Sequence, residues 1–339
     1  MPEIPALPPP DVPAALVRIG SGDSASRLAG LAELVRPGAI PPHAVAAVAA
    51  CLHDPDHQVR TVAAAALGHA GAPAASALVQ GLDPRQPASV RVAAISALSQ
   101  VGPRAAVAVE ELCRCLESPE ATVRWHASLA LSRIGGPAVP ALREMLRSPN
   151  AGARSAALDA LGWMGSAARG VLDEVRRLVS AGSARDRLAC AAALVRLTGQ
   201  PAEGMPALLG ALGDKDAGTR RSAIERIGEL RGLGRESETS LLRCLADPST
   251  EVRAAAALAL WRIEASSPPA VAALTRLLRD PGAEVRANAS MALAGLGGNA
   301  ASALPALQAL RQDPEGRVAA LATAAIQRIE GQGEKRKPA

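Results

Sequence analysis

The sequence contains no phenylalanine, no tyrosine and only three tryptophans, although 49% of its 339 residues are apolar. Aromatic side chains normally supply much of the buried area of a conventional core. Alanine takes their place, with 77 residues. A core of alanine and leucine requires closely spaced helix backbones, and sheets are seldom built from so few aromatic and β-branched residues. The composition therefore predicts an all-α chain.

Signals for secretion and membrane insertion are also missing. No stretch approaches about 18 apolar residues without a charge, so we expect neither a membrane-spanning helix nor a membrane partner. Residues 1–13 are Pro-rich and show no basic or apolar leader region, so no signal peptide is expected. The 5 cysteines are odd in number and scattered, unlike a disulfide framework. These features favour a cytoplasmic protein.

Lysine is nearly absent, since Lys215, Lys335 and Lys337 are the only ones, and arginine supplies almost all basic charge. The net charge is +5, part of which lies in the last few residues, so the body of the chain carries a weak field. We predict a Pro-rich tail over residues 1–10, one repeat domain over residues 11–330 and a basic disordered tail over residues 331–339.

An internal repeat of about 33 residues runs through the chain, marked by an arginine in a constant context. The arginines of the first nine repeats are Arg27, Arg60, Arg91, Arg124, Arg154, Arg187, Arg220, Arg253 and Arg286, and a tenth repeat follows with Ala319 at this position. Counted from this position, +3 is always a small residue and +7 is always Leu or Ile. Spacings of 3 and 7 trace one stripe along a helix.

Each repeat also contains an earlier apolar helix, which ends at Asp-Pro or Ser-Pro in most repeats. Asp56, Asn150, Asp216 and Ser249 follow two residues after the repeated Asp or Ser, where they can cap the next helix. Glycines at +11, such as Gly71 and Gly102, are expected to end it in a left-handed cap. The pattern predicts about ten helix pairs.

The repeated Asp ends a first helix and the repeated Arg begins a second helix, so both charges oppose the helix dipole. A recurring placement of this kind indicates a partner for each charge. We expect a ladder in which each Asp accepts from an Arg of its own or the adjacent repeat, and from backbone N–H groups of the turn. Such a ladder would fix the stacking register more than the stability.

The pattern D-P-x-x-x-V-R-x-A-A-x-x-A-L resembles the HEAT repeat, in particular its short bacterial form known from phycobilisome lyases. The resemblance covers about residues 11–330 and implies a right-handed α-solenoid of the armadillo/HEAT type. It also implies an inter-repeat ladder. The ladder residues expected here are Asp54, Arg60, Asp83, Arg91, Asp214, Arg220, Asp247, Arg253, Asp280 and Arg286. Repeats with Ser21, Ser118, Ser148 or Ala181 in the Asp column should have a weaker ladder.

Position +9 points away from the apolar stripe and should be exposed. The resemblance implies that second helices line a concave surface, so this column would run along a groove. Its candidate partner-binding residues are Arg36, His69, Arg133, Trp163, Arg196, Arg262 and Arg328. Because Trp and Arg dominate binding hot spots, we expect another protein as the partner. A solvated arginine face without function is the competing interpretation.

Three other functions deserve comparison. A chromophore lyase or chaperone subunit similar to the phycobilin lyases is one alternative. Nucleic-acid binding is the second, but stacking residues are scarce and Glu229 interrupts the basic column, so it is not expected. HEAT-like metal hydroxylases carry His-Glu dipeptides, which this chain lacks. His53 and His57 flank a turn but have no evident third ligand, so no metal site is expected. We also expect no cofactor, no small-molecule ligand and no catalytic residue.

Overall fold

The computed structural model describes residues 10–36, 38 and 40–334. Regular structure in this part of the chain is entirely helical, which confirms the predicted all-α class. The chain divides into two compact units, Met1–Val171 and Leu172–Ala339. Each unit is built from pairs of a first and a second helix.

In the unit Met1–Val171, odd-numbered helices are first helices and even-numbered helices are second helices. They are α1 (Val12–Ile19), α2 (Ser24–Leu34), α3 (Val45–Ala50), α4 (His57–Ala70), α5 (Ala72–Val79), α6 (Ala88–Val101), α7 (Val109–Cys115), α8 (Ala121–Ile134), α9 (Val139–Met145) and α10 (Ala151–Met164). Short 3₁₀ segments extend several first helices. Neighbouring second helices pack side by side, from α2 through α4, α6 and α8 to α10.

The unit Leu172–Ala339 repeats the arrangement. Its helices are α11 (Leu172–Ala181), α12 (Ala184–Thr198), α13 (Met205–Ala211), α14 (Ala217–Glu229), α15 (Glu238–Cys244), α16 (Thr250–Arg262), α17 (Pro268–Leu277), α18 (Ala283–Leu296), α19 (Leu304–Ala309) and α20 (Gly316–Glu334). The second helices α12, α14, α16, α18 and α20 again pack in sequence.

The two apolar columns form the contact surfaces between neighbouring helices. The +7 residues are buried in every repeat, from Leu34 to Ile326, and so are the +3 residues. In the first repeat the +3 residue is Gly30, where a Cβ would stand 2.6 Å from the carbonyl oxygen of Ala15. The small +3 column therefore lets helix backbones approach closely, as predicted, and leaves no room for a large ring.

The helix termini agree with the predicted caps except at Ser249 and at +11 glycines such as Gly71. Asp56, Asn150 and Asp216 accept hydrogen bonds from backbone N–H groups of the next helix, whereas Ser249 occupies an N-cap without a side-chain bond. Gly71 has a positive φ of 71°, but its ψ of −142° is not the left-handed helical value expected. This conformation, open mainly to glycine, turns the chain directly into α5.

At four steps within the described chain, the ladder joins one repeat to the next. In the best-formed steps, the Arg of one repeat holds the Asp found 27 residues later by two hydrogen bonds. These pairs are Arg27–Asp54, Arg220–Asp247, Arg253–Asp280 and Arg286–Asp313. The side chains in these pairs are nearly buried, between 4% and 14% exposed. The sequence left open whether each Asp pairs with the Arg of its own repeat or of the adjacent repeat. In these four pairs, the Asp carboxylate contacts the Arg of the adjacent repeat.

The same guanidinium also serves its own repeat. Nη1 of Arg253 donates to the carbonyl oxygens of Asp247 and Pro248, at 2.9 and 3.1 Å. Arg60 makes the corresponding bonds to Asp54 and Pro55. The Asp carboxylates also accept backbone N–H groups in the turn, as Asp214 does from Asp216 at 2.9 Å. One arginine thus binds the turn of its repeat and the turn of the following repeat.

The predicted ladder pair Asp83 and Arg91 is wrong. Asp83 pairs with Arg85, two residues away, and the hydrogen bonds from Arg85 lower the pKa of Asp83 to about 2. Arg91 is 4% exposed, and its Nη1 lies 3.4 Å from Glu120 Oε2. Asp83 lies eight residues before Arg91 rather than six, which moves its carboxylate out of the ladder position. Ser118 occupies the Asp column of the next repeat and has no charge, and Glu120 provides the carboxylate for Arg91 instead.

The most apolar stretch, Ala88–Cys115, is long and apolar enough to cross a membrane by composition, and 56% of its most apolar window is buried. This stretch is not one straight helix, because α6 ends at Val101 and Gly102 has a φ of 65°. Its helix α6 packs between α4 and α8. These residues therefore form part of the core between repeats.

Of the predicted tails, residues 1–9 and 335–339 lie outside the described residues. At the carboxyl end, α20 continues to Glu334. The helix thus extends four residues beyond residue 330, where the repeat domain is predicted to end. Apolar residues of α20 pack against α18 and α19.

Candidate partner-binding surface

Most +9 residues lie at the carboxyl ends of second helices. In the unit Met1–Val171, His69 and Arg133 are exposed, whereas Arg36 is half-buried just past the end of α2. Nη1 of Arg133 donates to Oγ of Ser99 in the preceding repeat, at 3.1 Å. The column is therefore partly engaged in contacts between repeats, rather than uniformly exposed as expected.

A packing rule links position +9 to position +8 of the preceding repeat. Gly68 at +8 lies under Gln100 at +9 of the next repeat, and a Cβ on Gly68 would stand 2.6 Å from Cβ of Gln100. A Cβ on Gly228 would stand 3.0 Å from Cα and 3.1 Å from Cβ of Ala259, and 3.5 Å from Cδ of Arg262, an ordinary contact distance. The glycine at position 68 thus makes room for the side chain of Gln100.

The same rule is inverted at one step. Trp261 occupies +8 and Gly295 occupies +9 of the following repeat. A Cβ on Gly295 would stand 2.5 Å from Cδ1 and 2.6 Å from Nε1 of Trp261. The indole therefore fills the space that a +9 side chain takes elsewhere. Trp261 remains 40% exposed, so it is held against the next repeat and still faces solvent.

Arg196 departs from the expectation that the +9 column is exposed. Its side chain is only 9% exposed, and Nη2 lies 3.2 Å from Oε2 of Glu229. Glu229 also accepts from Arg226 at 3.2 Å. Arg196 therefore has a structural position in an ion-pair network, and the prediction that it is an exposed binding residue is wrong.

The tryptophans are also distributed differently from the prediction. Trp163, expected as the exposed groove residue, is half-buried, with its ring 6.4 Å from that of Trp125 in an edge-on contact. Trp125 is 53% exposed and lies at +1, a position that the sequence did not single out. Trp261 was overlooked as well. The signal for Trp261 was the one aromatic residue in the +8 column, followed by glycine at the next +9.

Arg262 and Arg328 come together at a cavity of about 640 Å³ in the unit Leu172–Ala339. The cavity lies where α14, α16 and α18 end. It is lined by Arg231, Arg235, Trp261, Arg262, Glu264, Ser266, Gly295, Leu296, Asn299 and Arg328. We call it the Trp261 cavity. Two of the predicted binding residues, Arg262 and Arg328, thus contribute to one site.

Charge in the Trp261 cavity is strongly unbalanced. Arg235 donates to Oε2 of Glu264 at 3.0 Å. Within the described chain, Arg231, Arg262 and Arg328 form no ion pair with a carboxylate. Four guanidinium groups therefore face one carboxylate, which gives the cavity a positive potential and free N–H donors.

Two turns next to the cavity have an unusual backbone. Arg231 has a φ of 51° and Glu264 a φ of 58°, the positive φ values found for non-glycine residues in the described part of the chain. Both residues line the cavity. A left-handed conformation in a residue with a Cβ costs about 1 kcal/mol or more and is concentrated at functional sites.

The cysteines and histidines outside the cavity show no arrangement of a reactive site in the described chain. The five cysteines are free and buried, and burial raises the pKa of Cys113 to about 12. Nε2 of His53 lies 3.2 Å from Oε1 of Gln86. Among the described residues, no group of three His, Cys, Asp or Glu side chains is arranged to hold a metal ion.

The stacked helix pairs define an α-solenoid protein. A family model described as HEAT repeats matches residues 75–162, 109–195, 172–261 and 238–327. These matches span well over half of the chain, so the chain belongs to the HEAT-repeat family, as its sequence pattern predicted. No curated protein matches the chain.

Solved structures are also similar to this chain. An engineered protein is 22% identical over 94% of this chain and 99% of that chain, with a TM-score of 0.39. Human deoxyhypusine hydroxylase is 22% identical over 77% of this chain and 97% of that chain, with a TM-score of 0.36. The karyopherin Kap121p, solved bound to the extreme C-terminus of the phosphatase Cdc14p, is 13% identical. That match covers 98% of this chain and 47% of Kap121p, with a TM-score of 0.51. The likeness to Kap121p, at 13% identity, shows the fold alone.

Proposed function

We propose that this protein is a non-enzymatic scaffold or adaptor that binds another protein along the surface formed by the ends of its second helices. The observation that carries the proposal is an exposed tryptophan, Trp261, fixed beside the unpaired Arg262 and Arg328. Trp and Arg supply a large share of binding energy in protein interfaces when they become desolvated. A repeat array provides such a surface without enclosing a reaction centre.

The chemistry of the cavity supports binding rather than catalysis. Its walls present guanidinium, indole, hydroxyl and amide groups, and its one carboxylate, Glu264, is paired with Arg235. Guanidinium groups remain protonated and cannot act as general bases at neutral pH. These groups recognise anionic and apolar surfaces. The fold is compatible with this role, since Kap121p, which has a similar fold, was solved with a segment of another protein bound.

The proposal places the protein in the cytoplasm. Five buried, free thiols suit a reducing compartment, where cysteines are kept unpaired. We propose no membrane partner, because the most apolar stretch of the chain belongs to the core between repeats.

The test is to identify the partner and then reconstitute the complex from purified components. Cross-linking in cells of the source organism, followed by mass spectrometry, should recover a protein cross-linked to the unit Leu172–Ala339. With the purified partner, the double variant Arg262→Glu/Arg328→Glu should weaken binding at least about 100-fold, since it reverses two charges at one site. Thermal melting should confirm that both proteins remain folded.

A matched control is available on first helices. Arg243 in α15 and Arg276 in α17 are exposed arginines outside the cavity. The double variant Arg243→Glu/Arg276→Glu changes the net charge equally and should leave binding within about twofold. Equal losses in both variants would indicate a nonspecific charge effect. Tighter binding to a labelled DNA or RNA duplex than to any protein, with a steep salt dependence, would contradict the scaffold proposal.

A further inference from the structure

We propose that the Trp261 cavity binds an acidic segment of the partner protein, in which two or more carboxylates flank an apolar side chain. The carboxylates would pair with Arg262, Arg328 and Arg231, and the apolar side chain would pack against the indole of Trp261. This inference rests on the proposed function and specifies the chemistry of the partner.

The charge of the cavity argues for carboxylates. A guanidinium accepts a carboxylate through two parallel hydrogen bonds, and Arg231, Arg262 and Arg328 have no such partner in the described chain. Arg235 already pairs with Glu264, so we do not count Arg235 among the groups that bind the ligand. Three available guanidinium groups require more than one negative charge from a ligand.

The position of Trp261 argues for a neighbouring apolar group. The indole is 40% exposed, but the close contact with Gly295 restricts its movement on one side. Trp261 also lines the cavity, so the exposed part of its ring is available to a ligand bound there. A preorganised indole loses little conformational entropy when it binds.

The dimensions and the backbone agree with this assignment. A volume of about 640 Å³ is in the usual range for a ligand-binding cavity and accommodates a few side chains of a peptide. The strained turns at Arg231 and Glu264 hold two walls of the same cavity. Strain of this kind is retained where it places groups for function.

A peptide fits these observations better than a nucleic acid. One indole provides a single stacking position, whereas single-stranded nucleic acids use successive aromatic side chains. Glu264 lies in the cavity and Glu229 lies in the same +9 column, so the positive potential does not extend as a continuous track. A compact acidic motif matches the limited positive surface of the cavity, whereas a long phosphate backbone would extend beyond it.

The experiment uses the full-length protein and fluorescein-labelled twelve-residue peptides. The probe peptide carries a leucine with two glutamates on each side, in a Gly/Ser sequence. One control peptide has glutamines instead of the glutamates, and another has alanine instead of the leucine. Binding is measured by fluorescence anisotropy up to millimolar protein concentration. The glutamate peptide should bind at least tenfold more tightly than the glutamine peptide.

Single variants then locate the site. Arg262→Gln and Arg328→Gln should each weaken binding of the glutamate peptide about tenfold, because each removes a charge-assisted pair. Trp261→Ala should abolish the preference for leucine over alanine. Arg276→Gln on α17 should leave binding within twofold. Circular dichroism and thermal melting establish that each variant is folded.

Several results would overturn the inference. These are equal binding of the glutamate and glutamine peptides, no acid-selective binding up to millimolar concentration, and binding unaffected by Arg262→Gln and Arg328→Gln. Displacement of the peptide by a single-stranded oligonucleotide at lower concentration would assign the site to nucleic acid instead. If a reconstituted partner binds normally to the Arg262→Glu/Arg328→Glu variant, the partner uses another surface. The scaffold function then stands and this site assignment fails. Acid-selective peptide binding with no protein partner recovered would leave the site chemistry intact and count against the scaffold.

Discussion

The guanidinium of Arg253 holds the carboxylate of Asp280, 27 residues later in the next repeat, by hydrogen bonds of 2.7 and 2.9 Å. Both side chains are nearly buried, so solvent screens the pair weakly. We expect Asp280→Asn to lower the free energy of unfolding by about 1–3 kcal/mol, the range for charged hydrogen bonds with one partner removed. Urea denaturation followed by circular dichroism measures this loss.

The exposed pair Asp83–Arg85 provides the control for the ladder. Arg85 is 90% exposed, and the partners lie only two residues apart. Asp83→Asn should therefore cost at most about 1 kcal/mol. A double-mutant cycle between positions 253 and 280 should show coupling of about 0.5–3 kcal/mol. Additive effects at these two positions would contradict the ladder.

The ladder also predicts how stability depends on pH. Hydrogen bonds from Arg220 hold the pKa of Asp247 below its ordinary value, and those from Arg286 do the same for Asp313. A carboxyl group with a lower pKa in the folded state stabilises the protein above its unfolded pKa, near about 3.9. That stability is lost as the pH falls through the folded pKa values. The free energy of unfolding should therefore decrease from about pH 5 downward.

Denaturation at pH 6, 4 and 3 tests this dependence. The double variant Asp247→Asn/Asp313→Asn should be less stable at pH 6 and should lose less stability on acidification than the wild type. Asp83→Asn should change the dependence little, because Asp83 and Arg85 remain neighbours in the unfolded chain. If the free energy of unfolding falls equally with pH in the wild type and the double variant, the ladder is not the source of the pH dependence.

Arg196 and Arg262 occupy equivalent repeat positions, yet substitution should affect them differently. Arg196→Glu would place a carboxylate against Glu229 in a site that is 9% exposed, so we expect a loss of about 1–3 kcal/mol. Arg262→Glu should stay within about 1 kcal/mol, since Arg262 has no carboxylate in ion-pair contact. Thermal melting of both variants makes the comparison. Equal destabilisation would refute the distinction between structural and binding arginines.

Gly295→Ala tests the contact between Gly295 and the indole of Trp261. The added methyl group would stand 2.5 Å from Cδ1 of the ring, so the indole must move outward. The indole is at the surface, and we expect a stability loss below about 1 kcal/mol together with a red shift of tryptophan emission. Gly210→Ala in α13, where nothing lies within 4 Å, should leave the emission unchanged and stabilise the helix slightly. Unchanged emission in Gly295→Ala would contradict the contact.

The buried cysteines should be unreactive in the folded protein. Burial raises the pKa of Cys113 to about 12 and also raises the pKa values of Cys115 and Cys244. The thiolate is the reactive form, so iodoacetamide at pH 8 should modify these residues at least about 100-fold more slowly than in 8 M urea. Peptide mass spectrometry resolves each site. Rapid native labelling of Cys113 would show that its helix opens locally.

The sequence predicted the packing columns because they depend on intervals within one helix. Ala256 at +3 and Leu260 at +7 are buried for that reason. The direction of the ladder could not be read in the same way, since Arg253 follows Asp247 by six residues whichever repeat it contacts. Arg196 and Trp261 were misjudged or missed because their exposure depends on a side chain one repeat away. A helical projection of one repeat does not contain that information.

The matching of +8 and +9 residues between neighbours determines which repeats can stand next to each other. The indole of Trp261 occupies the space beside Gly295 at +9 of the repeat that follows, where a Cβ would stand 2.5 Å from its Cδ1. If the repeat with Gln100 followed it instead, two bulky side chains would compete for one space. If the repeat with Gly295 followed Gly68, that space would be empty. At these two steps, exchanging the neighbouring repeat would therefore disturb the packing between them.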